Sequence, residues 1–272
     1  MYTLDIPEGL RVLAISPHAD DVELGAGAAL LWLQNERKAD IYYRVLSTEH
    51  AQASDGTVFS RASEARLAAA MLGVDVESEL HYDAQCFIDA EFPEQRKAIH
   101  SYLERTKELI DPHLVISPSL RDMHQDHVTV AETVMRVFRE GQALWHYEIC
   151  QFNRSELFVR NLFIDVSHER YWPDTDKTMS YAERKNDIVQ RSFLSQRGTI
   201  YLDEDVITGN MRLRGQQRAR AAVKYSEAFQ SRVSLFDYQG YKCGAVRKFA
   251  PKEQLSVHAS RSAETNPFRC AA

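Results

Sequence analysis

The first half of the chain alternates short apolar runs with longer segments in which apolar residues recur every three or four positions. The short runs predict buried strands, and the longer segments predict amphipathic helices. The predicted strands are residues 11–16, 41–46, 80–82 and 114–117, and the predicted helices are residues 23–37, 60–72, 93–110 and 128–139. Strands that alternate with helices form a parallel sheet covered on both faces. We therefore predict an α/β fold with a doubly wound, mostly parallel sheet and helices on both faces.

After about residue 145 the alternation becomes less regular. The pattern predicts strands over residues 145–152 and 162–166, helices over residues 178–193 and 211–229, and an exposed polar loop around Trp172. From residue 250 onward, Pro, Ser, Gln, Asn and Thr occur without periodicity, which predicts a poorly ordered tail. Since no linker divides the rest, we predict a single domain over residues 1–249 and a disordered tail over residues 250–272.

Composition adds exclusions rather than a function. The 272 residues are 44% hydrophobic and 26% charged, as is ordinary for a globular protein. With 33 basic against 39 acidic residues, the chain lacks the basic excess of a nucleic-acid binder. No secretory signal is visible, and the longest apolar stretch, residues 26–33, is too short to span a bilayer. We expect a cytoplasmic protein without a membrane span or a nucleic-acid partner, while a homo-oligomer stays open.

Two polar clusters follow predicted strands. Ser16-Pro17-His18-Ala19-Asp20-Asp21 comes directly at the end of the first strand, and His124-Gln125-Asp126-His127 comes shortly after the fourth. Doubly wound sheets bind ligands at the carboxyl ends of their strands, where the strand order reverses. In the common order, that point lies between the first and fourth strands. The sequence therefore predicts that both clusters meet in one crevice.

The residue types of these clusters indicate a metal site. His18 and Asp21 are three residues apart at the entry to a helix, so both can reach one ion, and His127 supplies a third ligand. Three nitrogen and oxygen ligands with an open position are typical of catalytic zinc, and iron(II) can use the same ligands. Zinc lowers the pKa of a bound water to about 7. We therefore predict one Zn²⁺ per chain, with Fe²⁺ as the alternative.

Three further residues of the clusters have predicted catalytic roles. Asp20 is available as a general base and later as an acid. His124 is available to donate to a developing oxyanion, with Asp126 fixing its tautomer or charge.

Simpler explanations exist for each cluster alone. Asp20 and Asp21 could cap a helix, and His124 and His127 could face solvent on one. The joint occurrence at the reversal point favours the metal site. A dinucleotide site is excluded, since Gly25-Ala26-Gly27 lies inside the predicted helix and follows two carboxylates that would repel a pyrophosphate. These small residues instead predict close packing of the helix on the sheet.

The clusters also resemble the signatures of a known family, the PIG-L/LmbE-like zinc-dependent de-N-acetylases. Pro17-His18-Ala19-Asp20-Asp21 with Leu24-Gly25 is similar to the first motif, although Ala19 stands where proline is usual, and His124-Gln125-Asp126-His127 is similar to the second. Arg61-Ala62-Ser63-Glu64, a helix ending in Leu72-Gly73, and residues 225–229 are similar to supporting segments. The resemblance spans residues 11–229.

The resemblance implies a Rossmann-like fold and supports the predicted roles. Zinc would be held by His18, Asp21 and His127, with Asp20 as the base and His124 as the oxyanion stabiliser. Arg61 becomes a candidate substrate contact. The alternative for Arg61, a surface ion pair with Glu64 one turn on, stays open.

Together these observations predict a zinc-dependent hydrolase that removes an acetyl group from an N-acetylated amino sugar or glycoconjugate of the N-acetylglucosamine type. Two alternatives remain: an amidase that cleaves a larger acyl group from a thiol-sugar conjugate, and a non-catalytic metal- or sugar-binding protein of the same fold. Asp20 and His124 argue against the last one, because binding alone needs neither a base nor an oxyanion donor. The sequence does not identify the sugar or its carrier.

Overall fold

The computed structural model describes residues 6–49, 51–52, 58–139, 141–151, 158–217 and 223–233. Its strands are β1 (Arg11–Ser16), β2 (Asp40–Val45), β3 (Ala51–Gln52), β4 (Val58–Phe59), β5 (Tyr82–Ala84), β6 (Leu114–Ser117), β7 (Ala143–Tyr147), β8 (Leu162–Asp165), β9 (Glu169–Trp172), β10 (Lys177–Ser180) and β11 (Ser226–Val233). Its helices are α1 (Asp21–Arg37), α2 (Arg61–Met71), α3 (Phe92–Ile110), α4 (Gln125–Val137), α5 (Tyr181–Ser192) and α6 (Glu204–Gln217). Two short 3₁₀ turns cover Leu194–Gln196 and Ile200–Leu202.

A seven-stranded sheet in the order β5-β2-β1-β6-β7-β11-β8 forms the centre of the fold. The first five of these strands are parallel, and β11 and β8 are antiparallel additions at one end. Strand β1 pairs with β2 on one side and with β6 on the other, so the strand order reverses between β1 and β6. The predicted neighbourhood of the first and fourth strands is therefore confirmed.

Two separate cores cover the faces of the sheet. Val12 and Ala14 of β1 belong to the core that also contains residues of α1, α2, α5 and α6. Leu13 and Ile15 point the other way, into the core formed with α3 and α4. This alternation explains why β1 reads as a continuous apolar run. The predicted fold, a mostly parallel sheet with helices on both faces in one domain, is confirmed.

Of the two glycines in α1, Gly25 is the one that lets the helix lie close to the sheet. A Cβ atom at Gly25 would collide with the ring of Tyr147 on β7. A Cβ atom at Gly27 would lie 3.4 Å from Cγ of Lys185 on α5, which is ordinary contact. The prediction that the small residues of this segment permit close packing is confirmed most clearly at Gly25.

A buried ion pair joins α1, α5 and β11. Lys185 Nζ donates to Glu227 Oε1 at 2.6 Å and to the carbonyl oxygen of Leu24 at 2.7 Å. The Glu227 carboxylate accepts from the backbone N–H groups of Ala28 at 3.3 Å and Ala29 at 2.7 Å. In a regular helix, the Ala28 N–H bonds to the Leu24 carbonyl. The ion pair therefore contacts both the donor and the acceptor of one backbone hydrogen bond of α1, about one turn after the helix begins.

The two helices predicted in the second half need correction. The helix predicted over residues 178–193 begins only at Tyr181, because Ser180 and Glu183 form a capping box and residues 177–180 are strand β10. The helix predicted over residues 211–229 is wrong, since α6 ends at Gln217 and residues 226–233 form β11. Glu227 is a charged residue at a buried position of that strand, so it interrupts the apolar pattern. Its burial is possible because Lys185, which is distant in sequence, compensates its charge.

Two apolar residues differ in exposure from what the surrounding sequence pattern indicates. Leu109 is 64% exposed, because the buried positions of α3 follow Ile99, Leu103 and Ile110 and Leu109 lies one residue off that face. In the loop predicted to be exposed, Pro173, Asp174 and Asp176 are exposed. Trp172 itself is only 8% exposed, since it belongs to the β9–β10 hairpin and donates to the carbonyl oxygen of Met179.

Two further predictions concern the C-terminal boundary of the domain and the absence of a membrane-spanning helix. The predicted boundary after residue 249 and the tail beyond it lie outside the described residues. Within the described part of the chain, no helix combines the length and the apolar character that a bilayer crossing requires.

Candidate metal centre

The two polar clusters lie at the carboxyl ends of the neighbouring strands β1 and β6. The loop after β1 carries His18 and leads into α1, whose first residue is Asp21. The loop after β6 leads into α4, with His124 at its N-cap and His127 in its first turn. The parallel pairing of β1 with β6 brings these two loops to the same edge of the sheet.

The three predicted metal ligands converge on one point. His18 Nδ1 lies 3.1 Å from Asp21 Oδ2 and 3.2 Å from His127 Nε2, and His127 Nε2 lies 3.1 Å from Asp21 Oδ2. The side chains are 10%, 3% and 0% exposed for His18, Asp21 and His127. Ligands of a tetrahedral zinc ion at 2.0–2.1 Å are about 3.3 Å apart. This metal triangle, as we call His18, Asp21 and His127, therefore fits a divalent transition-metal ion.

Each histidine of the metal triangle also contacts a carboxylate through its other ring nitrogen. His127 Nδ1 lies 2.9 Å from Asp122 Oδ2, while His18 Nε2 lies 2.7 Å from Asp89 Oδ1 and 3.3 Å from Asp126 Oδ2. Such carboxylates fix the orientation and tautomer of metal-binding histidines. Asp122 and Asp89 were not predicted from the sequence. Asp122 lies two residues before His124, a spacing that could have been noticed, whereas Asp89 follows β5 and has no local signal.

The carboxylate of Asp126 is oriented away from its predicted partner. It accepts from the backbone N–H groups of Ala90 at 2.7 Å and Phe92 at 3.2 Å, and its Oδ2 lies 4.0 Å from His124 Nδ1. The backbone N–H of Asp126 instead donates to His124 Nδ1 at 3.3 Å. A neutral His124 accepting at Nδ1 carries its proton on Nε2. Asp126 therefore influences the tautomer of His124 through its main chain.

The charges of the metal triangle depend strongly on one another. Burial lowers the pKa of His127, but the charge of Asp21 and a hydrogen bond to Asp122 outweigh burial and raise it to about 9. Burial raises the pKa of Asp21, but the charge of His127 and hydrogen bonds to both histidines bring it well below its usual range. Metal binding to these histidines must therefore displace protons, so metal affinity depends on pH.

Asp20 lies beside the metal triangle with its carboxylate available for proton transfer. It is the N-cap residue of α1 but makes no side-chain capping bond, which argues against the capping explanation. Burial, followed by the negative charge of Asp21, raises the pKa of Asp20 to about 6. A carboxylate with a pKa near neutrality can accept a proton and later release it.

Arg61 lies at the N-terminus of α2 and faces Asp20, with 3.9 Å between its Nη2 and Asp20 Oδ2. The alternative interpretation, an ion pair between Arg61 and Glu64, is wrong, because Glu64 binds a different residue. The Glu64 carboxylate accepts from the backbone N–H of Ser195 at 2.7 Å and from its hydroxyl at 2.6 Å. Arg61 therefore directs its positive charge toward the site.

His124 lies close to the same point. Ligand atoms of His18, His124 and His127 all lie within 4.8 Å of one another. The His124 side chain is 29% exposed, unlike the fully buried His127. Burial, and then the nearby positive charges of His127 and His18, lower its pKa. A neutral, partly exposed imidazole with its proton on Nε2 is suited to hydrogen-bond donation.

Comparison with known families gives a match over this part of the chain. A family model described as PIG-L, GlcNAc-PI de-N-acetylase, matches residues 13–138. The matched residues include both polar clusters. These residues are therefore similar to the PIG-L family. The expected resemblance is thereby confirmed, and the match begins in β1 and ends just after α4.

Several solved structures share the fold of this chain. N,N′-diacetylchitobiose deacetylase from Pyrococcus horikoshii is 18% identical, with a TM-score of 0.61 and coverage of 82% of this chain and 83% of that one. The A40926 pseudoaglycone deacetylase is 17% identical, with a TM-score of 0.59 and coverage of 82% and 98%. The 4-carboxy-2-hydroxymuconate hydratase of Pseudomonas putida KT2440 is 18% identical, with a TM-score of 0.53 and coverage of 83% and 98%. Since this fold carries different reactions, the activity must be argued from the site.

Proposed function

We propose that this protein is a zinc-dependent amide hydrolase that removes an acetyl group from an N-acetylated amino sugar or glycoconjugate. The observation that carries the proposal is the metal triangle with a separate buried carboxylate, Asp20, beside it. The match of residues 13–138 to the PIG-L family model supports de-N-acetylation. Two proteins of the same fold, described as deacetylases of diacetylchitobiose and of a pseudoaglycone, support the same reaction class.

His18, Asp21 and His127 would hold the metal ion. Their two imidazoles and one carboxylate match the ligands of catalytic zinc, and iron(II) accepts the same set. When bound, such an ion supplies a Lewis acid that polarises an amide carbonyl and acidifies water. Asp122 and Asp89 keep the two imidazoles oriented toward the ion through their second nitrogens.

Asp20 moves the proton in this proposal. Its carboxylate takes a proton from the attacking water, which then adds to the acetamide carbonyl. The carboxylic acid formed in this way delivers the same proton to the nitrogen of the leaving amine as the carbon–nitrogen bond breaks. The products are acetate and a free amino sugar. The raised pKa of Asp20, about 6, suits a group that must both take and return a proton near neutrality.

His124 and Arg61 act on the substrate. The Nε2–H of His124 donates to the oxygen that becomes negatively charged when water adds to the carbonyl. Arg61, whose guanidinium lies 3.9 Å from Asp20, is suited to donate to sugar hydroxyl or carrier oxygens next to the scissile amide. Its positive charge also favours the ionised form of Asp20 before the reaction.

A second candidate, cleavage of a larger acyl group or of an apolar conjugate, is favoured by the neighbours of the site residues. Ile88 and Met123 directly precede Asp89 and His124 and are 45% and 68% exposed. Exposed apolar side chains beside a polar site are typical of sites that bind apolar parts of a ligand. The substrate panel should therefore include N-acyl sugars with longer acyl chains and apolar aglycones.

The test is the release of amine and acetate from a panel of N-acetyl sugars by the zinc-loaded parent and by Asp20→Ala. We expect the variant to lose about 10²–10⁴-fold in kcat, the usual contribution of general acid–base catalysis. Asp111→Ala, at an exposed site at the end of α3, is the matched control and should behave like the parent. Equal turnover by Asp20→Ala and the parent on every accepted substrate would show that the base is misassigned. No turnover of any N-acyl sugar by the parent would contradict the proposed reaction.

A further inference from the structure

A cleft of about 340 Å³ lies between helices α1 and α6 and the residues that follow β7. Leu24, Ile149, Tyr201, Val206 and Asn210 are among the residues that line it, and we call it the lateral cleft. Its volume is at the lower end of the range of small-molecule sites, about 300–1,000 Å³. The lateral cleft therefore has room for one compact chemical group of a ligand.

The lateral cleft lies next to the proposed base. Leu24 is one helical turn beyond Asp20, and its backbone N–H donates to the Asp20 carbonyl oxygen at 3.0 Å. Burial, followed by the negative charge of Asp20, raises the pKa of Tyr201 to about 12, so the phenol of Tyr201 lies within electrostatic reach of that carboxylate. A substrate whose amide is held at Asp20 can therefore extend into the lateral cleft.

The lining of the lateral cleft combines apolar and hydrogen-bonding groups. Four of its side chains are aliphatic, namely Leu24, Ile149, Val206 and Ile207. Gln151 and Asn210 add amide groups. Tyr201 donates its hydroxyl proton to Gln196 Oε1 at 2.7 Å, which leaves the phenol oxygen able to accept a hydrogen bond. A mainly apolar lining with a few polar groups is typical of sites for small organic molecules.

The described residues that line the lateral cleft offer no unpaired positive charge. Of these residues, Lys185 is the only one with an ammonium, guanidinium or carboxylate group, and its Nζ lies 2.6 Å from Glu227 Oε1. Three consecutive exposed acidic residues, 203–205, directly precede Val206 in the chain. A phosphate group in the cleft would therefore meet like charges nearby without an unpaired cation in the described lining to compensate its own charge.

We infer that the lateral cleft binds the group to which the N-acetyl sugar is attached, and that this group is uncharged and partly apolar rather than a phosphate ester. The inference rests on the proposed function, because the sugar amide must lie at Asp20 for the attached group to reach Leu24. The aliphatic side chains cover the apolar surface of this group, while the Asn210 amide and the phenol oxygen of Tyr201 bond to its polar atoms.

The experiment measures kcat/KM of the zinc-loaded, full-length protein with the methyl glycoside, the phenyl glycoside and the 1-phosphate of N-acetylglucosamine, each in both anomeric forms. With the better anomer of each, the phenyl glycoside should exceed the methyl glycoside by about tenfold, the usual effect of added apolar contact in a pocket, and the 1-phosphate should fall below both. Val206→Trp fills the cleft and should bring the phenyl-to-methyl ratio near one. Leu213→Trp, at an exposed position of the same helix outside the lining, is the matched control and should keep the ratio of the parent.

Asn210→Lys tests the selectivity against anions, because it adds an ammonium group to the lining. It should raise the ratio of kcat/KM for the 1-phosphate to that for the methyl glycoside about fivefold. Gln216→Lys, at an exposed position of the same helix, should leave this ratio as it is in the parent. A parent that uses the 1-phosphate as well as the phenyl glycoside would overturn the inference. So would an equal phenyl-to-methyl ratio in the parent and Val206→Trp.

Calorimetric binding to the metal-free protein separates this inference from the proposed function. The phenyl glycoside of N-acetylglucosamine should bind more tightly to the parent than to Val206→Trp. Such a difference without turnover of any N-acyl sugar by the zinc-loaded parent would refute the proposed function and leave the lateral cleft intact as a binding site. Turnover of all three derivatives with the same kcat/KM would refute the role of the cleft and leave the proposed function intact.

Discussion

Helix α1 contacts two buried groups of charged side chains, and the two groups differ in how their donor and acceptor atoms are arranged. At its first residue, the metal triangle brings three electron-pair donors to within 3.1–3.2 Å of one another. One turn later, the pair of Lys185 and Glu227 joins opposite charges, and the Glu227 oxygens also accept two backbone N–H groups. Burial of charge is common to both. Convergence of several donors on one point is what distinguishes a ligand site from a structural ion pair.

The largest effect is expected from breaking the Lys185–Glu227 pair. Replacing Glu227 with leucine should lower the free energy of unfolding by about 3–5 kcal/mol, because it leaves a buried ammonium without its partner. The measurement is guanidinium unfolding of the metal-free protein. The double variant Lys185→Met/Glu227→Leu is the control and should recover much of the loss, since a buried pair replaced by apolar residues is often nearly neutral. A loss of under about 1 kcal/mol in the single variant would contradict this account of the pair.

A smaller effect is expected from the metal triangle, where the change in unfolding free energy depends on bound metal. At a metal concentration of 100 Kd, the parent should gain about 2.7 kcal/mol in unfolding free energy. Asp21→Asn should gain little at the same concentration, because one of its three ligands is neutral. The measurement compares each protein with itself, with and without zinc, so that intrinsic changes cancel. Glu227→Leu should keep the metal-dependent gain. If Asp21→Asn gained as much as the parent, the metal would be bound elsewhere.

The sequence predicted the metal triangle well because each half of it is local. His18 and Asp21 follow β1 directly, and His127 follows β6 within a short loop, so a correct sheet order was enough to bring them together. The orienting carboxylate of Asp89 could not be predicted in this way. Asp89 lies 71 residues from His18 along the chain (89 − 18), and the loop conformation that joins them depends on bonds to Asp126.

The Lys185–Glu227 pair was not predicted for a related reason. Strand β11 pairs antiparallel with β7, although many residues and several elements separate the two strands in the sequence. Local periodicity carries no information about such pairing. A charged residue at a buried strand position also breaks the apolar pattern on which strand prediction depends. The segment was therefore predicted as part of a helix. Ordinary sequence patterns detect clusters at the ends of parallel strands more readily than ion pairs across distant elements.

A third buried group, His146 on β7, sharpens the comparison because no carboxylate among the described residues contacts this histidine. Its Nδ1 lies 2.8 Å from the carbonyl oxygen of Pro118 and donates to it, and its Nε2 is buried without a hydrogen-bond partner among the described residues. Burial lowers the pKa of His146 from 6.5 to about 4, whereas the carboxylates around His127 raise the pKa of that ring to about 9. Equal burial thus gives opposite shifts, and the carboxylates decide the direction.

The smallest effect is therefore expected from pH acting on His146. Because the folded-state pKa lies below the unfolded one, the stability contributed by the neutral ring is fully present above pH 6.5 and is lost as the pH falls toward 4. Between pH 7 and 5.5 the parent should lose about 1 kcal/mol from this residue. His146→Gln keeps an N–H group for the Pro118 carbonyl and cannot titrate, so its unfolding free energy should fall by that much less over the same interval. An identical pH dependence in the parent and His146→Gln would mean that the ring is not held neutral, and burial without carboxylates would then not separate this histidine from those of the metal triangle.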